Sequence, residues 1–352
     1  MGKTYKAAIY QGKEQIDIVE KTLPDVVGDN DVIVKNKMAS VCGADYLGYK
    51  SGHGPEHMLW FGYEFGHEFV SEVVEVGKNV HDVKVGDWIF PNLGYAHRDH
   101  HRMATVGGFS EYLVLPDFSL DGSCDLGSRN QPSAFLLDKS LGLENLCLIE
   151  PFTIGCRAAE SVHPEGKTCV VIGAGAIGLS TALMCKYFGA SKVMILDFSD
   201  YRLEYAASYG LLTCNPQKED LDKRMYEEFG EMVVYGGKKC RANYYFDCVG
   251  VQGAIDYFTK YGGFGASLSI IGQHDTKDPT IRGNNICYNQ QIIRGSGTLG
   301  LDKCVHYICD MIAKGTDIGK IITHTFPLDQ INEAFHQLDD TSDTFKVAIV
   351  YD

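Results

Sequence analysis

Apolar residues recur along the chain in two rhythms, and the change between them falls near residue 150. Before it, short runs alternate apolar and polar positions. Examples are 31–35 (DVIVK), 69–76 (FVSEVVEV, followed by Gly77) and the run around Gly86-Asp87-Trp88-Ile89-Phe90. Alternation broken by Gly and Asp turns predicts half-buried strands, here an irregular, mostly antiparallel β domain. After residue 150 the apolar runs are more continuous. Residues 169–172 (CVVI), 193–196 (VMIL), 244–246 (YYF) and 268–271 (LSII) read as strands buried on both faces. Residues 176–188, rich in Ala, Leu and Met, predict a helix, with Gly189 placed to cap its end. Strands alternating with helices predict a parallel sheet with right-handed crossovers. A helix over 304–314, a turn at Gly315 and a strand over 346–351 close the chain. The expected class is α/β: a mostly-β domain joined to a doubly wound sheet.

Composition narrows the function classes. The 352 residues suggest two or three domains, and 45% hydrophobic with 22% charged residues excludes disorder and disulfide miniproteins. The net charge of −14 gives no positive footprint for phosphates, which argues against nucleic-acid and polybasic membrane partners. No run reaches the ~18 apolar residues of a membrane helix, and the first residues lack a signal peptide's apolar core, so a cytoplasmic protein is expected. Twelve scattered cysteines without a C-x-x-C pair suit free thiols in a reducing compartment.

The segment Gly173-Ala-Gly175-Ala176-Ile177-Gly178 is a G-x-G-x-x-G between a predicted strand and a predicted helix. The first Gly allows the tight turn, the second lets backbone approach a pyrophosphate, and the third lets helix pack on strand. The helix N-terminus offers free N–H groups and a positive dipole. Asp197, nineteen residues after Gly178, ends the next strand. Its carboxylate suits a ribose 2′-hydroxyl and repels a 2′-phosphate, which favours NAD over NADP. The alternative is a glycine-rich surface turn with a solvated acid. Phe246-Asp-Cys248-Val249-Gly250 ends another predicted strand at the carboxyl edge, where ligands sit in such sheets. It is read as the nicotinamide-side wall, with Cys248 as packing.

Cys42, His67, Glu68 and Glu150 are ligand types that a tetrahedral zinc takes, although their spacing alone proves no site. Taken singly, Cys42 reads as a small buried hydrophobe, His67 as structural and Glu68 as solvated. Together the pattern C-G-x-D at Cys42–Asp45, G-H-E twenty-five residues on, and Glu150-Pro151 before the glycine-rich turn resembles the zinc-dependent medium-chain alcohol dehydrogenase superfamily over nearly the whole chain. The Glu150-Pro151 junction resembles its polyol branch, typified by sorbitol dehydrogenase. The resemblance implies a GroES-like catalytic domain made of both chain ends (1–152 and 296–352) and an inserted Rossmann domain (153–295). It implies Cys42 and His67 as zinc ligands, with Glu68 and Glu150 either ligating or holding a zinc-bound water. Asp45 would orient backbone or a ligand, and Arg202 matches a basic position near the adenosine ribose. Homodimers or homotetramers are implied, residues 285–300 offering an edge strand for pairing.

Three departures stand out. The relay position two residues after the Cys is Ala44, and a frequent His is Leu47. Water, Tyr46, Tyr49, His53 or Glu150 would then serve. The stretch 91–108 contains no Cys, so a structural zinc is not expected; His97, His100 and His101 there read as a solvated loop, with incidental metal binding as the alternative. The expected function is hydride transfer between NAD and a secondary alcohol, a polyol or sugar-derived diol, with one catalytic zinc. The alternatives are a sugar- or polyol-phosphate dehydrogenase, a zinc-free reductase, and a dinucleotide-binding sensor without catalysis.

Overall fold

The computed structural model describes residues 3–52, 59–94, 107–122, 124–125, 130–274 and 278–352. The candidates His53, His97, His100 and His101 lie outside them. Two compact units emerge: Met1–Glu150 with Asp317–Asp352, and Pro151–Thr316. Segment 296–316 groups with the second unit, since Arg157 Nε donates to the Leu299 carbonyl (2.9 Å) and the Tyr187 hydroxyl donates to Asp310 (2.6 Å).

In the first unit a seven-stranded sheet runs in the order Ile322–Pro327, Lys346–Val350, Val32–Ser40, Glu68–Val76, Trp88–Pro91, Ala134–Leu137, with Tyr112–Leu115 also paired to Val32–Ser40. The two C-terminal strands therefore join a sheet built from residues 32–137, while Thr4–Gly12 and Gln15–Thr22 pair as a separate two-stranded sheet. Ala348 lies opposite Ser40, and Ser40 lies opposite Glu68. The alternation read in the sequence puts Val32, Val34, Val73, Val347 and Ile349 into a core with Phe65, Phe69, Phe109 and Phe335. The pairing is antiparallel throughout, except between the strands Ile322–Pro327 and Lys346–Val350, which run parallel.

The second unit is a six-stranded parallel sheet ordered Leu212–Cys214, Lys192–Leu196, Thr168–Ile172, Tyr244–Asp247, Ser267–Ile270, Ile292–Arg294. The strand order reverses between Thr168–Ile172 and Tyr244–Asp247, the switch point where a doubly wound sheet opens a crevice. The predicted helix after the glycine-rich turn spans Ala176–Tyr187, and Gly189 beyond it has φ +84°. The helix predicted over 304–314 begins earlier, at Leu301, and ends at Ala313. A hairpin, Glu231–Val234 with Gly237–Cys240, adds to this unit. Among the described residues no helix is long and apolar enough to cross a membrane.

Candidate functional site

Two neighbouring strands build the metal-type cluster of the first unit. Val32–Ser40 leads into Cys42, which sits at the N-cap of the helix Gly43–Ser51. His67 lies directly before the strand Glu68–Val76. Gly66 turns the chain there at φ +92°, and a Cβ would stand 2.7 Å from the Phe109 ring, so the first residue of the Gly-His-Glu motif has to be glycine. Ligand atoms of Cys42, His67 and Glu68 lie within 4.8 Å of one another, and His67 and Glu68 are buried. Glu150, also buried, does not join them at that spacing, although its charge acts on His67 and Lys346.

Asp45 is fully buried in the first helical turn and accepts from the Cys42 amide (3.4 Å). Its Oδ1 faces His67 Nδ1 at 3.6 Å, too far for a hydrogen bond. Both atoms are buried without a hydrogen-bond partner among the described residues. A carboxylate behind one ring nitrogen leaves the other for a metal, the usual support for a ligating imidazole. Burial pushes the Cys42 thiol up, Glu68 adds to this and His67 opposes it. Burial disfavours protonated His67, but the charges of Asp45 and Cys42 outweigh it and hold the ring well above its ordinary value. Burial likewise raises Asp45, against the pull of His67. Thiol, imidazole and carboxylate drawn this close form a donor set that suits zinc, whose binding displaces protons from such ligands.

The sequence reading missed Lys346. This lysine opens the strand Lys346–Val350, is buried, and places Nζ 2.6 Å from Glu68 Oε2. The Ser40 hydroxyl donates to the same oxygen. Burial alone would lower the Lys346 pKa; Glu68, then Cys42, reverse this and raise it. The available signal was a charged residue at the head of an apolar run, KVAIV, but only the long-range register of three strands shows its target.

The proton-relay candidates separate. Ala44 and Leu47 have no proton to pass. The Tyr46 hydroxyl donates to Asp339 (2.5 Å) and is pushed up to about 12, by burial first and then by Asp339. Tyr49 is fully buried with Phe65 and Phe335 in the core, its hydroxyl 3.4 Å from His336 Nε2.

In the second unit a cavity of about 420 Å³ opens at the switch point, lined by Gly173, Gly175, Asp197, Arg202, Val249 and Tyr257 among others. Ala176, Ile177 and Gly178 begin the helix beside it. A Cβ on Gly178 would stand 1.7 Å from the Gly173 carbonyl, so strand and helix meet backbone to backbone. Asp197 accepts from the amides of Ala174 (2.6 Å) and Ser199 (2.8 Å), which fixes its carboxylate at the cavity edge. The Arg202 Nε is buried without a hydrogen-bond partner among the described residues. Cys248 is a packing thiol: burial pushes it up to about 12, and its sulfur contacts the Thr181 hydroxyl at 3.7 Å.

The chain matches two family models, the alcohol dehydrogenase GroES-like domain over residues 28–120 and the zinc-binding dehydrogenase domain over residues 176–314. It is similar to the L-threonine 3-dehydrogenase of Caldanaerobacter subterraneus subsp. tengcongensis, with 30% identity covering 90% of each chain. It is also similar to that of Shewanella baltica, with 26% identity covering 88% of this chain and 89% of the other. Among solved structures it resembles in fold the 2R,3R-butanediol dehydrogenase of Bacillus subtilis, at TM-score 0.79 and 23% identity, covering 99% of this chain and 100% of that one. The galactitol-1-phosphate dehydrogenase of Escherichia coli follows closely, at TM-score 0.78 and 19% identity, covering 98% and 100%. With the fold, the glycine-rich turn and the Cys-His-Glu cluster in register, the chain belongs to the zinc-dependent medium-chain dehydrogenase superfamily.

Proposed function

We propose that this oxidoreductase oxidises a secondary alcohol carrying a second polar group on the adjacent carbon, with NAD as hydride acceptor and one zinc per chain. The observation that carries the reading is the close approach of Cys42, His67 and Glu68 ligand atoms within 4.8 Å. The adjacent polar group is common to the compounds for which the relatives are named: L-threonine bears an amino group there, and butanediol and galactitol phosphate bear hydroxyls. Cys42 and His67 would hold the zinc, with Glu68 or Glu150 completing the set. When bound, zinc supplies a Lewis acid that lowers the pKa of a carbinol oxygen, and the nicotinamide supplies the hydride acceptor.

The chain's own residues do the rest. The Asp45 carboxylate faces the His67 ring from its Nδ1 side and favours its orientation by charge. Gly173, Gly175, Ala176, Ile177 and Gly178 bring backbone amides and a helix N-terminus to the pyrophosphate. Asp197 stands fixed to accept from ribose hydroxyls and repels a 2′-phosphate, Arg202 lies beside it, and Val249 bounds the nicotinamide end. With Tyr46 tied to Asp339 and Tyr49 in the core, the alcohol proton leaves through water, Glu150 or His53.

The test is metal content of untagged protein, together with reduction of NAD and NADP over L-threonine, vicinal diols, polyols and a polyol phosphate, with and without chelator. About one zinc per chain and chelator-sensitive, NAD-selective turnover are expected. Metal-free protein with no turnover on any of these alcohols would overturn the reading.

A further inference from the structure

The second unit holds a buried histidine–carboxylate pair that the chemistry above leaves unused. Asp247 ends the strand Tyr244–Asp247 and is fully buried. Its Oδ1 accepts from the amides of Val249 (3.0 Å) and Gly250 (2.9 Å). Its carbonyl accepts from the amides of Ile271 and Gly272 (both 2.9 Å), in the loop after the next strand. Its Oδ2 lies 2.8 Å from His274 Nε2, with the His274 side chain only 10% exposed. Oδ1 already accepts two N–H bonds, so Oδ2 is the acceptor for His274 in the tautomer that carries its hydrogen on Nε2. One aspartate thus ties two loops together, and His274 is its outer partner.

What the tie positions is the edge of the dinucleotide cavity. The Cys248 amide donates to the Ile172 carbonyl (3.0 Å), and a Cβ on Gly173 would stand 2.5 Å from the Val249 side chain. The turn that Asp247 organises therefore lies directly on the glycine-rich turn, and Cys248, Val249 and Val251 line the cavity. The two loops pack without side chains between them: a Cβ on Gly272 would stand 2.2 Å from the Gly250 amide nitrogen. Val249 is 46% exposed, so packing from above does not hold it in place. Its position depends on the backbone beneath, which Asp247 sets.

We propose that His274 is a positioning residue for the dinucleotide: by holding Asp247 it fixes the Cys248–Val249–Gly250 turn against the glycine-rich turn. This rests on the cofactor reading above. Without His274 the Asp247 carboxylate keeps its two turn amides but loses the bond that fixes its rotamer. The turn then samples positions that widen or block the cavity, and the dinucleotide must select one of them.

NADH binding, read by its fluorescence on the full chain, tests this. His274→Ala should weaken NADH on the order of fivefold to tenfold, the part of one hydrogen bond to a charged group that reaches the ligand. KM for NAD should rise by a similar factor while kcat at saturating NAD and zinc content stay unchanged. His274→Gln, which returns an N–H donor, should recover most of the affinity. Since His274→Ala leaves a carboxylate buried without its partner, the double variant His274→Leu/Asp247→Asn removes the bond without that cost and should show the same loss. Wild-type affinity in His274→Ala and in the double variant would overturn the inference. A wild-type chain that binds neither NADH nor NADPH would instead overturn the cofactor reading on which it rests.

Discussion

A lysine buried against a carboxylate, next to a thiol and an imidazole, carries a charge that water does not screen. Lys346 is in that position, and breaking a buried pair by removing one partner costs about 3–5 kcal/mol. The cost falls on Glu68, and a zinc ion beside Glu68 would take up the stranded charge. Lys346→Met should therefore lower the melting temperature of metal-free protein sharply and of zinc-loaded protein much less. Melting curves before and after chelation check this; an unchanged gap between the two states would mean that Lys346 has no bearing on the metal. Tyr46 gives the opposite kind of expectation. Its phenol is raised to about 12, so it stays protonated throughout the neutral range and cannot act as a base there. Tyr46→Phe should leave the pH profile of kcat/KM where it is, and a displaced limb would restore Tyr46 to the relay. Both residues mark what could be read beforehand. Cys42, His67, Glu68 and Asp197 were legible because their motifs are local. Lys346 and Ser40 act from strands and Asp339 from the turn after the helix Ile331–Gln337, each more than twenty residues from its partner, and no local pattern announces such a partner.

Among the elements, the helix Leu221–Phe229 shows how one segment combines a cap, a buried face and a titrating contact. Asp220 caps it by accepting from the Lys223 amide (3.0 Å), while Leu221, Met225 and Phe229 face the core. Replacing such a cap by Ala costs about 1 kcal/mol, so Asp220→Ala should lower the denaturant midpoint by that equivalent. Two residues after the cap, Asp222 is held below the usual carboxylate range, first by Lys260 and then by the Tyr261 hydroxyl. A depressed carboxylate stabilises the fold fully above its unfolded pKa of ~3.9, and that contribution is lost as pH falls through the depressed value. Asp222→Asn should accordingly flatten the acid limb of the stability curve and leave its slope above the carboxylate range unchanged; an unchanged acid limb would assign the stabilisation elsewhere. Elements of this unit were readable because parallel strands buried on both faces leave continuous apolar runs, as at 169–172 and 193–196. The hairpin Glu231–Val234 with Gly237–Cys240 was not. Val233 is exposed, while the buried positions of the hairpin are the adjacent pair Lys239 and Cys240, which set no alternating rhythm.

Over the whole molecule, the two sets of ligand-type residues divide cleanly. Cys42, His67, Glu68 and Glu150 all belong to the unit Met1–Glu150 with Asp317–Asp352, and every residue around the dinucleotide cavity belongs to Pro151–Thr316. The metal-type residues sit where the C-terminal strand Lys346–Val350 joins the sheet, Ser40 between Glu68 and Ala348. A ligand that binds only the folded state stabilises what it touches by RT ln(1 + [L]/Kd), about 2.7 kcal/mol at a hundredfold excess over Kd. Zinc and dinucleotide should therefore protect different parts of the chain. Hydrogen exchange read by mass spectrometry checks this. Chelation should speed exchange in the strands Val32–Ser40, Glu68–Val76 and Lys346–Val350, and leave Thr168–Ile172 and Tyr244–Asp247 protected. Saturating NADH should slow exchange in the turns after those last two strands and leave the first three unchanged. If chelation instead released both sets of strands to the same extent, the chain would open as one cooperative body, and the metal would be stabilising the whole protein rather than the sheet that carries its ligands.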